Sequence, residues 1–376
     1  MIFNQFSDTD IVLGRTNRVS SGFWLDGNYA HSQSALFTSS TQTQITGSNG
    51  ATDVKSGLYY FDVYNSNPAI DINAQVHFSI AYGDYYGSGS SINDSTQYYI
   101  KPTKSIYDQY KNVLLTPDDT FFNFKTGNYN VSTLSDSTTS VTSSGIVILN
   151  FSADKYKDRV DEGQIEFSLS GSRGQFTFID DSSIVKKQLD VYSIISGSVN
   201  DGVPSAYYAS SNTITYNSIG LFYPKTGIAV LNASAISSSV GLSLTGSFGT
   251  VSDNTNTYAL NQRTVFNSIV RCTKTFKVRK SEYLPSAQYF VRVKNQDFNY
   301  TNNPTYIANG TTDSLNGTIL ARGAIKISSF VNNPTTYITT VGLYDDNNEL
   351  VAVAKLSQPT QKTFDSELLI RVRLDF

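Results

Sequence analysis

Apolar residues alternate with polar ones, at a period of two, along most of this 376-residue chain. Leu58 to Tyr64 and Gln75 to Tyr82 carry it, and Phe121 to Phe124, Gly145 to Phe151, Gln164 to Leu169, Gln175 to Ile179 and Val191 to Ile195 are further apolar-rich runs. Such runs, bounded by Gly, Asn, Asp and Pro, predict short β-strands. From Ile269 onward the alternation lengthens. It predicts one strand over Val270 to Lys280, with Val270, Cys272, Lys274, Phe276 and Val278 on one face, and another over Ser286 to Lys294. The carboxyl end reads as a strand to Tyr344, an acidic turn, a strand from Leu350, a turn at Pro359 and a last strand from Leu369 to Phe376. Helical spacing stands out in one place. Pro102 and Thr103 give a start signal, Ile106, Tyr110, Val113 and Leu114 fall on one face, and Pro117 gives a stop, predicting a helix over 103–115. A shorter helix is expected near Thr257 to Arg263.

The pattern predicts a mainly β, multi-domain, antiparallel β-sandwich-like architecture with a few short helices. Three segments are expected. Residues 1–57 form an extended N-terminal arm, 58–250 a mixed β domain with one helix near 103–115, and 251–376 a C-terminal all-β domain. The arm has two readings, a segment anchored on a neighbouring subunit by bulky side chains or an ordinary edge strand and loop. Residues 132–144, mostly Ser, Thr, Asp and Val, read as a surface loop or hairpin tip. Ser218 to Leu231 and Thr340 to Val353 echo each other as Gly-Leu, then Tyr, then a turn, then alternating aliphatics, which is common hairpin grammar.

Composition agrees with the pattern. Tyr (25) and Phe (22) are abundant, and charged residues make up 16%, well below the usual quarter. A net charge of -3 supplies no field to gather nucleic acid. No run of about twenty apolar residues exists to span a membrane. The first residues lack the basic start and apolar core of a secretory signal, so folding in a cytoplasm is expected.

Chemistry has little raw material. His31 and His77 are the only histidines, too few for a His-based metal site or triad, and structural roles are expected for both. Cys272 lies in a predicted strand and reads as a small buried residue. Asp118-Asp119, Asp180-Asp181 and Asp345-Asp346 each fall at predicted turns, where Asp supports backbone bends. A glycosidase-like pair among them is the strongest enzymatic reading. No phosphate loop, dinucleotide fingerprint, nucleophile elbow or calcium-loop spacing occurs. The chain is therefore expected not to be an enzyme and to have no catalytic, metal or cofactor-binding residue. Arg271, Lys274, Lys277, Arg279 and Lys280, with Arg292 and Lys294, form the one basic run, read as the solvated face of a sheet or a contact for an acidic subunit.

Several segments carry a resemblance. They are Ile11 to Thr16 with Val19 to Trp24, Lys104 to Leu115, Ile219 to Asn232, Phe290 to Thr305, and the block from Asn333 to Phe376. Each resembles tail structural proteins of T4-like contractile-tailed bacteriophages, especially those of cyanobacteria, and baseplate wedge components in particular. The resemblance implies a virion structural protein that holds neighbouring baseplate and tail subunits, oligomeric within the particle, assembled in the host cytoplasm, without nucleic-acid contact or catalysis. The alternative is a receptor-binding or tail-fibre protein gripping host glycans through Tyr-rich loops such as Tyr82 to Tyr99.

Overall fold

The computed structural model describes residues 5–38, 60–89, 91–92, 102–130, 132–133, 135–185, 190–201, 203–206, 209–210, 213–244, 249–250, 261–310, 314–315 and 317–375. The chain is mainly β, built of antiparallel sheets with five helices among the described residues. These are α1 (Pro102–Leu114), α2 (Ser182–Val185), α3 (Ala233–Val240), α4 (Asn261–Val270) and α5 (Ser328–Asn332). The chain divides into two compact units, Arg18–Glu282, and Met1–Asn17 with Tyr283–Phe376.

The larger unit is organised on a twelve-stranded sheet. Its order runs Ala30–Ser32, Thr275–Lys277, Glu166–Gly171, Gly174–Asp180, Tyr192–Asn200, Gly220–Tyr223, Ile228–Asn232, Gly145–Phe151, Val76–Asp84, Tyr60–Tyr64 and Phe37–Thr38, with Val203–Ala206 branching from Tyr192–Asn200. Gly145–Phe151 and Ile228–Asn232 are apolar on both faces because both faces are covered. On one side, Phe23, Trp24, Phe78, Phe151, Phe167 and Phe276 form an aromatic core, with Phe23 and Phe151 edge-to-face at 5.5 Å. On the other, α1 packs on Val76–Asp84 through Ile106 and Tyr107.

The contact with α1 is close. A Cβ at Gly83 would stand 2.9 Å from the Tyr107 amide nitrogen. Gly83→Ala is expected to lower the stability of the larger unit by about 1–3 kcal/mol, measured by urea unfolding, because the helix has to move off the sheet. The apolar face of α1 differs from the expected one by one residue. Tyr107 is fully buried, and its hydroxyl donates to the Ser143 carbonyl at 3.2 Å, whereas Val113 is 62% exposed.

The unit boundaries depart from those expected at 57 and 250. Residues 18–38 are no free arm, since Phe23, Trp24 and Leu36 are buried in the large core. The Gln33 side chain acts as a one-residue strand. Its amide group donates to Ser168 O at 2.8 Å and its carbonyl accepts from Ser168 N at 2.9 Å. Residues 261–282 also belong to this unit, because α4 lays Val265, Phe266 and Ile269 on the same core. Residues 39–57 lie outside the described residues, as does the start of the helix expected from Thr257.

Three local expectations are corrected. Val270 ends α4 instead of opening a strand, so the run to Lys280 is helix, turn and the short strand Thr275–Lys277, although Cys272, Phe276 and Val278 are buried as the alternation implied. The hydroxyl-rich stretch after residue 132 is a strand, Ser135–Ser143, paired along its whole length with Phe122–Asn130. It is an edge strand whose exposed residues need no apolar partner. Pro359 lies within strand Leu350–Thr363, where the ladder jumps from Ile338/Thr360 to Thr340/Lys355 and asks no hydrogen bond of it.

In the smaller unit the last strand is paired, as its alternation suggests. Leu368–Asp375 runs antiparallel to Ser286–Val293 across eight residue pairs. Thr335–Tyr344 and Leu350–Thr363 form a separate two-stranded ribbon. Val341 and Leu343 of the ribbon meet Val372 in a small core flanked by Tyr289, Val291, Ala352, Ala354, Ile370 and Leu374.

Candidate interaction surface

The two units distribute their apolar residues in opposite ways. Among the described residues, the larger unit buries fifty apolar side chains and exposes eleven large ones. The smaller unit buries seven and exposes fourteen. Apolar area left in water forgoes about 25 cal/mol per Å², and contiguous exposed patches mark contact surfaces.

The ribbon concentrates this imbalance. Its strands alternate, so one face holds Val341, Leu343, Ala352 and Ala354 on the small core. The other carries Tyr344, Val353 and Lys355, with Val351 in the bulge between the Leu343/Ala352 and Tyr344/Leu350 pairs. Leu350, Val351 and Val353 are between 53% and 67% exposed. A Cβ at Gly342 would meet the Tyr344 ring at 2.9 Å and the Leu350 side chain at 3.3 Å. Tyr344 and Leu350 thus lie over Gly342, making one level apolar platform.

The hairpin that echoes this ribbon supplies an internal comparison. Gly220–Tyr223 and Ile228–Asn232 have the same order of Gly-Leu, turn and aliphatics, and every residue of both strands is buried. Leu221 and Leu343 are 8% and 7% exposed, alike. Leu231, cross-strand from Gly220, is fully buried, whereas Val353, at the matching place opposite Gly342, is 57% exposed. Nearly the same hairpin is covered on both faces in one unit and on one face in the other.

The acidic turn has local work. Asp345 accepts from the amides of Asn347 at 3.0 Å and Glu349 at 2.7 Å, closing the hairpin. Asp119 likewise accepts from the Thr116 hydroxyl at 2.7 Å. Asp180 and Asp181 lie where the chain passes from a strand into α2. Asp180 ends a strand, and both are buried. Asp180 accepts from Gly163 N at 2.8 Å and from the Ser182 hydroxyl. Asp181 accepts from Ser193 N at 2.8 Å and Tyr216 Oη at 2.7 Å. Burial raises both carboxyls to about 6, against the pull of these hydrogen bonds, and the Asp180 charge adds to the rise at Asp181.

His77 is wedged between Phe23 and Trp24, its ring 5.0 Å from that of Trp24. Nε2 accepts from Leu25 N at 3.0 Å, so Nδ1 carries the proton and donates to the Gln75 carbonyl at 3.1 Å. Burial, then the nearby Lys155 charge, lowers it to about 4. His31 is half-buried, its ring 5.0 Å from that of Trp24. Cys272 is buried, donates to the Ser268 carbonyl, and is pushed up to about 11 by burial.

These shifts oppose one another in pH. His77 folds below its unfolded value of 6.5, so its share of stability is present above 6.5 and lost as pH falls toward 4. The two aspartates fold above 3.8, so their destabilisation grows as pH rises from about 4 through 6. Each effect is worth about 3 kcal/mol at most. Relative to the parent, His77→Gln is expected to gain stability as pH falls from about 6.5 to 4, and Asp180→Asn/Asp181→Asn to lose it, in urea unfolding across that window.

The basic run is divided. Lys277 pairs with Glu166 at 3.2 Å, Arg279 stacks on the Tyr29 ring at 4.4 Å, and Arg271 and Lys274 are exposed. Arg292 and Lys294 belong to the other unit. Of the Tyr-rich loop, Tyr82 is buried, Tyr85 packs 4.7 Å from Phe121, and Tyr86 is 63% exposed; residues 93–101 lie outside the described residues. A cleft of about 260 Å³ is lined by Phe176, Ile195, Ser196, Ile214, Asn217 and Ser239 among others, none of them charged. Among the described residues, no group of three or more His, Cys, Asp or Glu stands ready for a metal ion, and no helix is long and apolar enough to cross a membrane. Comparison with protein family models, curated proteins and solved structures finds no match.

Alternation alone does not distinguish the outer ribbon face from any other strand face. Its signal was present, since Leu350, Val351, Ala352 and Val353 leave no polar residue for the solvent side.

Proposed function

We propose that the protein is a structural subunit of a contractile phage tail, most specifically a baseplate wedge component that holds neighbouring tail subunits. The observation that carries this reading is the smaller unit's surplus of exposed over buried apolar side chains. A unit so lightly packed gains most of its remaining apolar burial from neighbours, as obligate assembly subunits do. The resemblance of the segments from Ile11 to Phe376 to tail proteins gives the assembly its kind. The subunit would work mechanically, fixing neighbours until contraction changes their arrangement.

The test is the composition of purified tails from the particle that encodes this chain. Quantitative mass spectrometry is expected to find the chain at a fixed stoichiometry to the other baseplate proteins. Its absence from washed tails would overturn the proposal, and tight binding of the isolated chain to host glycans would favour a receptor-binding role instead.

A further inference from the structure

We infer that the outer face of the terminal ribbon binds a second copy of this chain, ribbon against ribbon, about a twofold axis. The inference rests on the assembly reading in that it names the first neighbour. It can fail while that reading stands.

The order of side chains along the face points to a like partner. Lys355 stands at one end, exposed and cross-strand from Thr340. The apolar platform of Val353, Tyr344 and Leu350 follows. Asp346 and Glu349 close the other end, both exposed. Among the described residues none of these three charges makes an ion pair. From Lys355 to Leu350 the strand spans about 17 Å.

A surface with a cation at one end and anions at the other is complementary to itself turned through 180°. Two ribbons laid antiparallel about an axis near Val353 bring the Lys355 of each copy toward the Glu349 and Asp346 of the other, across shared apolar contact. In such an isologous contact every interaction occurs twice. The platform suits face-to-face packing because Tyr344 and Leu350 level the surface over Gly342, and sheets stack at about 10 Å. The opposite face of the ribbon is already occupied by the unit's own core, so the copy has one face to meet.

Sedimentation of the purified full chain over about 1–100 µM tests this, since that range spans weak to moderate self-association. The parent is expected to move toward twice the monomer mass. Lys355→Glu and Glu349→Lys are changes at exposed positions, expected to leave the circular dichroism spectrum unchanged. Each is expected to weaken association about tenfold by placing like charges together, and the double variant K355E/E349K to return close to the parent. A parent that stays monomeric, single variants that associate as the parent does, or a double variant weaker than either single change would each overturn the inference. A monomeric result leaves the stoichiometry in purified tails to judge the assembly reading independently.

Discussion

Removing Leu368 to Phe376 is expected to unfold the smaller unit and spare the larger one. Leu368–Asp375 supplies eight ladder positions against Ser286–Val293, and Val372 is one of three fully committed members of the small core, with Ile370 and Leu374 beside it. A core that small has no reserve. Burying a single Val, Leu or Ile side chain is worth about 1.5–3 kcal/mol, so losing several exceeds what a domain of this size holds in hand. The larger unit keeps its own aromatic core, in which none of these residues takes part. Hydrogen exchange of the truncated chain should therefore show rapid exchange at Tyr337 to Lys355 while Gly145–Phe151 stays protected. Protection of both regions would show that the small core does not depend on its last strand.

Arg18→Met is expected to destabilise the larger unit by about 3–5 kcal/mol. The Arg18 guanidinium pairs with Asp161 and Glu162, donating to Glu162 Oε1 at 2.6 Å, and the side chains of the two acids are only 10% and 11% exposed. Ser20 also donates to Asp161, and Arg159 reaches Glu162 at 3.3 Å. With Arg18 gone, Arg159 is the one cation among the described residues that is seen to pair with these two buried negative charges. The loss comes from the orphaned charges more than from the pair itself. Adding Asp161→Asn and Glu162→Gln should thus recover most of the urea midpoint. A variant with Arg18→Met alone that unfolds at the parent's midpoint would show that the cluster is solvated enough to be neutral.

Both expectations depend on features that differ in how visible they are along the chain. Gly145 to Phe151 announces itself because Ile146 to Leu149 with Phe151, bounded by Gly145 and Ser152, has one good use, a strand covered on both faces. Helix α1 is readable because Pro102, the spacing of Ile106 and Tyr110, and Pro117 agree. Val270 misleads because the last turn of α4 continues without a break into alternating residues, and period two cannot be told from the end of a helix there. Asp180 and Asp181 mislead in another way. Asp next to Ser usually marks an exposed turn, but Gly163, Ser193 and Tyr216 satisfy the carboxylates from distant segments. The same holds for Arg18, whose partners lie more than 140 residues away.

The ribbon face lies between these cases. Its apolar residues are plain in the sequence, and so is its likeness to the hairpin at 218–231. What no periodicity conveys is that one hairpin has cover on both sides and the other on one. That difference depends on what is packed around each, and it leaves a familiar strand pattern with one apolar face exposed.

The central claim is that this chain holds neighbours in a tail through the smaller unit. The most direct measurement is an electron cryomicroscopy reconstruction of the tail with this chain traced. The account predicts Tyr344, Leu350, Val351 and Val353 buried against another polypeptide, with Lys355 beside an acidic side chain. A tail in which that face of the ribbon is open to solvent, or in which the chain has no density, would contradict it.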